Sequence, residues 1–108
     1  MKKKIINVSE PKLSNKTKEY VLDCIQTEWI SSSGSYLETF ENKWAKYCNK
    51  KYAVSVTSGT AALIVALKSL NLKSGDEVIM PSFTIISCAL AVIEAGAKPV
   101  LADCDLDT

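Results

Sequence analysis

Residues 54–67 read VSVTSGTAALIVAL, and this stretch decides the fold. A short β-branched run stops at the small polar residues 57–60, and an alanine- and leucine-rich helix is predicted to follow at once. The first turn of a helix carries free backbone N–H groups, and the helix dipole adds partial positive charge there. This strand-to-helix turn therefore predicts an anion site, for which phosphate is the usual ligand.

Strands and helices are predicted to alternate through the second half of the chain. The predicted strands are 52–57, 77–80 and 99–102, and the predicted helices are 60–70 and 84–95. The connections are short and the strands are continuous apolar runs, which is typical of a parallel sheet covered on both faces. The predicted fold class is therefore α/β, with a mostly parallel sheet and flanking helices.

The first half of the chain lacks this alternation. Residues 1–51 are predicted to form an N-terminal helical segment, and residues 52–108 a separate α/β unit. Ser14 is a suitable N-cap for a predicted helix over 15–27, and a second helix is predicted over 36–49. The serine- and glycine-rich stretch between those helices favours a loop.

The composition bounds the classes of function. The 108 residues are 47% hydrophobic and 23% charged, which is typical of a globular chain, and the net charge of +1 gives no argument for nucleic acid or a membrane surface. The lysine-rich start resembles that of a signal peptide, but polar residues interrupt it, and no apolar run approaches the roughly 20 residues of a membrane span. We therefore expect a cytoplasmic protein. Histidine is absent and the four cysteines have no metal-ligand spacing, so we expect reduced thiols and no metal site.

Two further stretches lie at the predicted carboxyl ends of strands, where open parallel sheets bind ligands. Residues 81–84 read PSFT, and residues 103–105 read DCD. Both have a simpler interpretation, since Ser82 or Thr84 could cap the next helix and the aspartates could be turn residues. The turn at 57–60 has the same alternative, an ordinary connection with a capping hydroxyl. The sequence contains no Walker A lysine pattern and no G-x-G-x-x-G motif, so nucleoside-triphosphate and dinucleotide binding lose support.

Several motifs at these spacings form a recognisable set. They are SGTAAL at 58–63, GDEVIMPSFT at 75–84, AGAKPV at 95–100, and upstream TEWISSSGSY at 27–36 with FE at 40–41. Together they resemble the DegT/DnrJ/EryC1/StrS family of pyridoxal-phosphate sugar aminotransferases, and the upstream motifs resemble its perosamine-synthase branch. The resemblance runs from about residue 7 to the end of the chain. It implies the N-terminal portion of an aspartate-aminotransferase-like domain (PLP fold type I), with residues 52–108 as the start of the cofactor-binding domain.

The resemblance also implies roles for individual residues. Gly59, Thr60 and Ala61 would hold the phosphate of pyridoxal 5'-phosphate through backbone N–H groups and the Thr60 hydroxyl. Ile85 occupies the position where many relatives place an aromatic ring against the pyridine, so an aliphatic contact is expected there instead. The loop that carries Trp29 and Ser31 would lie near the sugar nucleotide, which makes these two residues candidates for substrate binding.

At the level of the reaction, the resemblance implies transfer of an amino group, from glutamate, to a nucleotide-linked 4-keto-6-deoxy sugar in perosamine-type biosynthesis. The active site would form across a homodimer. The family's catalytic lysine would lie beyond residue 108, so no catalytic residue is assigned here, and the chain is expected to be the first part of a longer protein and inactive alone. Three alternatives remain: a dehydratase of the same family, in which histidine replaces the lysine; a truncated, non-catalytic remnant; and a small phosphate-binding α/β module outside the family.

Glu28 is a departure from the family pattern. It stands where relatives commonly have glycine, so a different backbone shape is expected in the loop before Trp29.

Overall fold

The N-terminal part of the molecule is a pair of helices. The computed structural model describes residues 6–105, so the lysine-rich start of the chain and residues 106–108 lie outside the description. Helix α1 spans Asn15–Gln26 and helix α2 spans Ser35–Tyr47. Ser14 is the N-cap of α1, and its hydroxyl accepts a hydrogen bond from the Thr17 N–H at 3.1 Å. The predicted cap and both predicted helices are therefore confirmed.

The loop between α1 and α2 holds a residue in an uncommon backbone conformation. Glu28 has a φ of 58°, in the left-handed region that glycine adopts freely and other residues rarely. The glutamate thus takes a glycine-type conformation at the position where the resemblance expects glycine, so the expected change of backbone shape at this residue is wrong.

The second part of the molecule is built on a parallel pair of strands. Helix α3 (Gly59–Ser69) comes first, followed by strand β1 (Glu77–Pro81), helix α4 (Ser87–Glu94) and strand β2 (Lys98–Ala102). The strands run parallel, in a register that aligns Glu77 with Lys98 and Pro81 with Ala102. The connection from β1 through α4 to β2 is the βαβ crossover that the sequence predicts.

A small core lies where α4 covers the sheet and α3 packs against α4. Ala91 is fully buried, Val92 is nearly so, and Met80 on β1 is buried beneath them. This packing fixes the amino end of α3 beside the amino end of α4, at the carboxyl end of β1.

Two predictions about the elements are wrong in detail. Residues 52–57 form no strand, because a strand requires a hydrogen-bonded neighbour and the sheet of the described residues contains β1 and β2 alone. The helix predicted over 84–95 begins only at Ser87, and the Thr84 hydroxyl lies 3.6 Å from the Cys88 Sγ atom instead of capping the backbone. The strand prediction failed because the β-branched residues within 52–57 favour extended backbone but do not supply the neighbouring strand.

The molecule exposes more surface than a compact folded monomer of the same mass. Its accessible surface is 9946 Å², whereas a folded monomer of this mass exposes about 5,900 Å². The radius of gyration of 19.1 Å likewise exceeds the roughly 13 Å of a compact domain of this length. Large apolar side chains such as Phe83 and Tyr47 therefore face solvent.

Within residues 6–105, none of the helices is both long enough and apolar enough to cross a membrane.

Candidate functional site

The amino end of α3 has backbone donors available for an anion. Ser58 is the N-cap, in extended backbone conformation, and its hydroxyl accepts a hydrogen bond from the Ala61 N–H at 3.2 Å. The N–H groups of Gly59 and Thr60 come before that bond, and no residue of the described chain accepts from them. Of the three residues predicted to hold a phosphate, Ala61 therefore has its N–H engaged in the cap, while Gly59 and Thr60 present free donors.

The space beside this turn can receive a ligand. A Cβ atom built on Gly59 meets nothing within 4 Å, and the backbone φ of this residue is not in the left-handed region. A glycine is therefore not required there by the turn itself. What glycine provides is close access to the backbone N–H groups, which is the arrangement that a phosphate needs.

A hydroxyl pair joins the two helix ends at the turn. The Thr60 Oγ1 hydroxyl donates to Ser87 Oγ at 3.0 Å, and both residues are half-buried. Ser87 is the first residue of α4, at the carboxyl end of β1. Sequence reasoning missed Ser87 because the helix was predicted to begin earlier, although its position after a parallel strand is the kind that binds ligands.

Ile85 lies just before α4. Its carbonyl accepts a hydrogen bond from the Cys88 N–H at 3.1 Å, and its side chain is 67% exposed. The exposed side chain leaves room for a flat ligand. The aliphatic contact to a pyridine ring stays a prediction.

Trp29 and Ser31 are brought together in a second place. They line a cavity of about 450 Å³ at the end of α1 and the start of α2, which also includes Tyr36. The Trp29 side chain is 56% exposed, and the Ser31 hydroxyl accepts a hydrogen bond from the Ser33 N–H at 3.3 Å. The residues predicted to bind phosphate and Ile85 do not line this cavity, so the candidate residues fall into two groups.

The cavity is held in shape by a contact between its two helices. The Tyr36 hydroxyl donates to Asp23 Oδ2 at 2.9 Å, and the Tyr20 and Tyr36 rings lie 5.0 Å apart. The hydrogen bond to the Asp23 carboxylate raises the pKa of Tyr36 to about 12, with smaller contributions from burial and from the carboxylate charge. This pair fastens α1 to α2 just beside Trp29.

A second contact joins α2 to the segment that leads into the turn at the start of α3. Glu41 Oε1 accepts from the Ser55 N–H at 2.8 Å and from the Ser55 hydroxyl at 2.7 Å. These two hydrogen bonds, the backbone one first, lower the pKa of the Glu41 carboxyl because they favour its charged form. The residues at the turn are thus connected to the helix that follows the Trp29 loop.

Two lysines of the α/β part form ion pairs away from the turn. Lys68 Nζ lies 2.9 Å from Glu94 Oε1, in an exposed ion pair between α3 and α4. Lys98 and Glu77 form a similar exposed pair across the two strands, also at 2.9 Å. Exposed pairs of this kind contribute little to stability, and neither lies at the turn.

Known proteins provide a direct comparison. The sequence profile of the DegT/DnrJ/EryC1/StrS aminotransferase family matches residues 11–108. The GDP-perosamine synthase of Escherichia coli O157:H7 is 45% identical over 105 residues, which make up 97% of this chain and 29% of that enzyme.

Solved structures share the fold. An aminotransferase from Psychrobacter cryohalolentis superposes with a TM-score of 0.81 at 32% identity, over 88% of this chain and 24% of that one. A Streptococcus pneumoniae protein named as a sugar aminotransferase, Spr1654, was solved in its PMP form and gives a TM-score of 0.81 at 29% identity, over 95% of this chain and 26% of that one. The predicted fold class is confirmed, and the chain spans 24% to 29% of the length of these proteins.

Proposed function

Because the chain belongs to the DegT/DnrJ/EryC1/StrS aminotransferase family, we propose that it forms the phosphate-binding end of a pyridoxal-phosphate-dependent sugar aminotransferase. The proposed substrate is a nucleotide-linked 4-keto-6-deoxy sugar, with glutamate as the amino donor. The similarity to a GDP-perosamine synthase supports GDP as the nucleotide and a perosamine-type product. We further propose a cytoplasmic homodimer, in which the active site forms across the two subunits.

The observation that carries this proposal is the turn at the start of α3. The N–H groups of Gly59 and Thr60 are free, open space lies beside Gly59, and the dipole of α3 points its positive end there. A phosphate dianion matches all three properties. Pyridoxal phosphate is the cofactor of this family, and its phosphate is the group that fits this turn.

When bound, the cofactor supplies the electron-withdrawing ring on which an amino group can be exchanged. The residues of this chain bind and orient it. Gly59 and Thr60 donate backbone hydrogen bonds to the phosphate, and the Thr60 hydroxyl adds a side-chain donor next to Ser87. Ile85 offers an apolar surface to the ring. No residue of the described chain is assigned the proton transfers.

The cavity beside Trp29 and Ser31 is the proposed position of the sugar nucleotide. An indole ring that is half exposed offers a flat surface for a base or sugar, and the Ser31 hydroxyl offers a donor for a sugar or phosphate oxygen. Because this cavity lies between α1 and α2, the proposed place of the sugar nucleotide is separate from the proposed place of the cofactor phosphate at the start of α3.

Family membership removes one of the alternatives, the unrelated phosphate-binding module. The dehydratase alternative is not favoured, because the synthase relative is 45% identical to this chain. A non-catalytic product stays an alternative that the following experiment decides.

The complete gene product should be purified and tested for two properties. It should bind pyridoxal phosphate, and with glutamate it should convert a GDP-linked 4-keto-6-deoxy sugar to the 4-amino sugar, detected by mass spectrometry. A dTDP-linked 4-keto-6-deoxy sugar is the matched control for nucleotide choice. A protein that does not bind the cofactor would contradict the proposal. One that binds cofactor but gives no amino sugar with either nucleotide would leave only the phosphate site standing.

A further inference from the structure

The segment between α2 and the phosphate turn has an unusual kind of support. Residues 52–57 belong to neither a helix nor a strand, and they pair with no strand of the described chain. Helices α1 and α2 also make no backbone contact with α3, α4 or the two strands. Among the described residues, the hydrogen bonds that tie this segment to another element are those of Ser55 to Glu41.

We infer that Glu41 is a positioning residue for the cofactor phosphate, acting through Ser55 on the turn at Gly59 and Thr60. This inference rests on the proposed function. One carboxylate oxygen of Glu41 accepts two short hydrogen bonds from the backbone and the side chain of the same residue, at 2.8 and 2.7 Å. Such a pair fixes both the place and the orientation of the Ser55 peptide.

The position of Ser55 makes this fixation matter at the turn. Ser55 lies three residues before Ser58, the N-cap whose conformation determines where the first N–H groups of α3 point. Only Val56 and Thr57 separate Ser55 from that N-cap, so few backbone dihedrals can absorb a displacement of the Ser55 peptide before it reaches the turn. Both Glu41 and Ser55 are half-buried, so water competes less for their hydrogen bonds than at an open surface.

A purely structural role for Glu41 makes a different prediction from a positioning role. If Glu41 only stabilised the fold, its removal would lower the melting temperature and would weaken the binding of any ligand to a similar extent. If it positions the turn, the loss falls on the phosphate alone. Pyridoxal, which lacks the phosphate, separates these two cases.

The experiment measures dissociation constants of pyridoxal 5'-phosphate and pyridoxal for the complete gene product freed of cofactor. The variants are Glu41→Ala, Ser55→Ala and the conservative Glu41→Gln. The control is Glu38→Ala, which makes the same truncation in the first turn of α2. We expect Glu41→Ala to weaken pyridoxal phosphate about tenfold, equivalent to about 1.4 kcal/mol. The affinity for pyridoxal should change by no more than about twofold, equivalent to about 0.4 kcal/mol.

The remaining variants give graded outcomes. Ser55→Ala keeps the backbone hydrogen bond to Glu41 and should weaken the binding of pyridoxal phosphate less than Glu41→Ala does. If Glu41→Ala fails to fold, the comparison of the two ligands is made with Ser55→Ala. Glu41→Gln keeps an acceptor oxygen and should bind pyridoxal phosphate more tightly than Glu41→Ala. Glu38→Ala should match the wild type.

Two results would overturn the inference: unchanged affinity for pyridoxal phosphate in the Glu41 and Ser55 variants, or an equal loss for both compounds. A wild-type protein that does not prefer pyridoxal phosphate over pyridoxal contradicts the proposed function itself, whatever the variants do. The two failures are therefore distinguishable.

Discussion

Replacing Gly59 by alanine should stabilise the protein without cofactor and weaken its binding of pyridoxal phosphate. The backbone of Gly59 is already helical, and an added Cβ atom meets nothing within 4 Å. Alanine at such a site removes freedom from the unfolded chain, which is worth about 0.4–1 kcal/mol of stability. The substitution is therefore expected to stabilise the folded protein and, at the same time, to weaken the proposed phosphate site.

The loss of affinity follows from the same empty space. The methyl group would occupy the place from which a phosphate oxygen reaches the N–H groups of Gly59 and Thr60. Losing one hydrogen bond to a charged group costs about 1.5–3 kcal/mol. That corresponds to a rise in the dissociation constant of about 10- to 150-fold.

Two measurements on the complete gene product check this prediction: a thermal melt without cofactor and a titration with pyridoxal phosphate. Gly34→Ala is the matched control, because a Cβ atom there makes only an ordinary contact, 3.5 Å from the Ser31 carbonyl oxygen, and lies away from the turn. The control should keep the wild-type affinity. If Gly59→Ala binds pyridoxal phosphate as tightly as the wild type, then the phosphate does not approach the backbone here and the reasoning is refuted.

Three further predictions concern named side chains. Thr60→Val removes the 3.0 Å hydrogen bond to Ser87 and one proposed phosphate donor, so cofactor affinity should fall by about 1.5 kcal/mol; equal titrations of variant and wild type would exclude that role. Trp29→Ala should raise the KM for the sugar nucleotide more than it changes cofactor affinity, whereas a lower melting temperature with unaltered kinetics would assign Trp29 to packing. Tyr36 donates to Asp23, and its pKa is raised to about 12, above the ordinary value of 10. Its contribution to stability should be complete below pH 10 and disappear as the pH rises to about 12. Phenolate absorbance of the wild type minus that of Tyr36→Phe checks this, and a midpoint near 10 would contradict it.

Local signals in the sequence were sufficient for helices α1 to α3 and for one pair of strands, but they placed the start of α4 three residues too early. Ser14 and Ser58 cap α1 and α3 through bonds to residues three positions away, so both caps depend on neighbouring sequence alone. The pairing of β1 with β2 also follows from a short connection through one helix. The free N–H groups at the start of α3 were predictable for the same reason, since they belong to one helix end, and their binding of a phosphate stays a prediction.

Contacts between distant residues were beyond the reach of such signals. Residues 52–57 have the composition of a strand, but whether a neighbour pairs with them is decided by the tertiary structure. The Glu41–Ser55 bonds join residues 14 positions apart, and the Thr60–Ser87 bond spans 27 positions. None of these carries a periodic or spacing signal, so only the folded chain reveals them.

The hydrogen bond between Thr60 and Ser87 would also connect the proposed phosphate to a second helix, α4. A hydroxyl has one hydrogen, and Thr60 directs it towards Ser87 in this structure. If the Thr60 hydroxyl donates to a phosphate oxygen instead, the Ser87 hydroxyl must turn and donate to Thr60 Oγ1 to keep the pair hydrogen-bonded. The two hydroxyls would then form a polarised chain, in which each bond strengthens the other by roughly 10–30%. Charge at the start of α3 would thus be felt at the start of α4, and binding would make the two helices more rigid relative to each other.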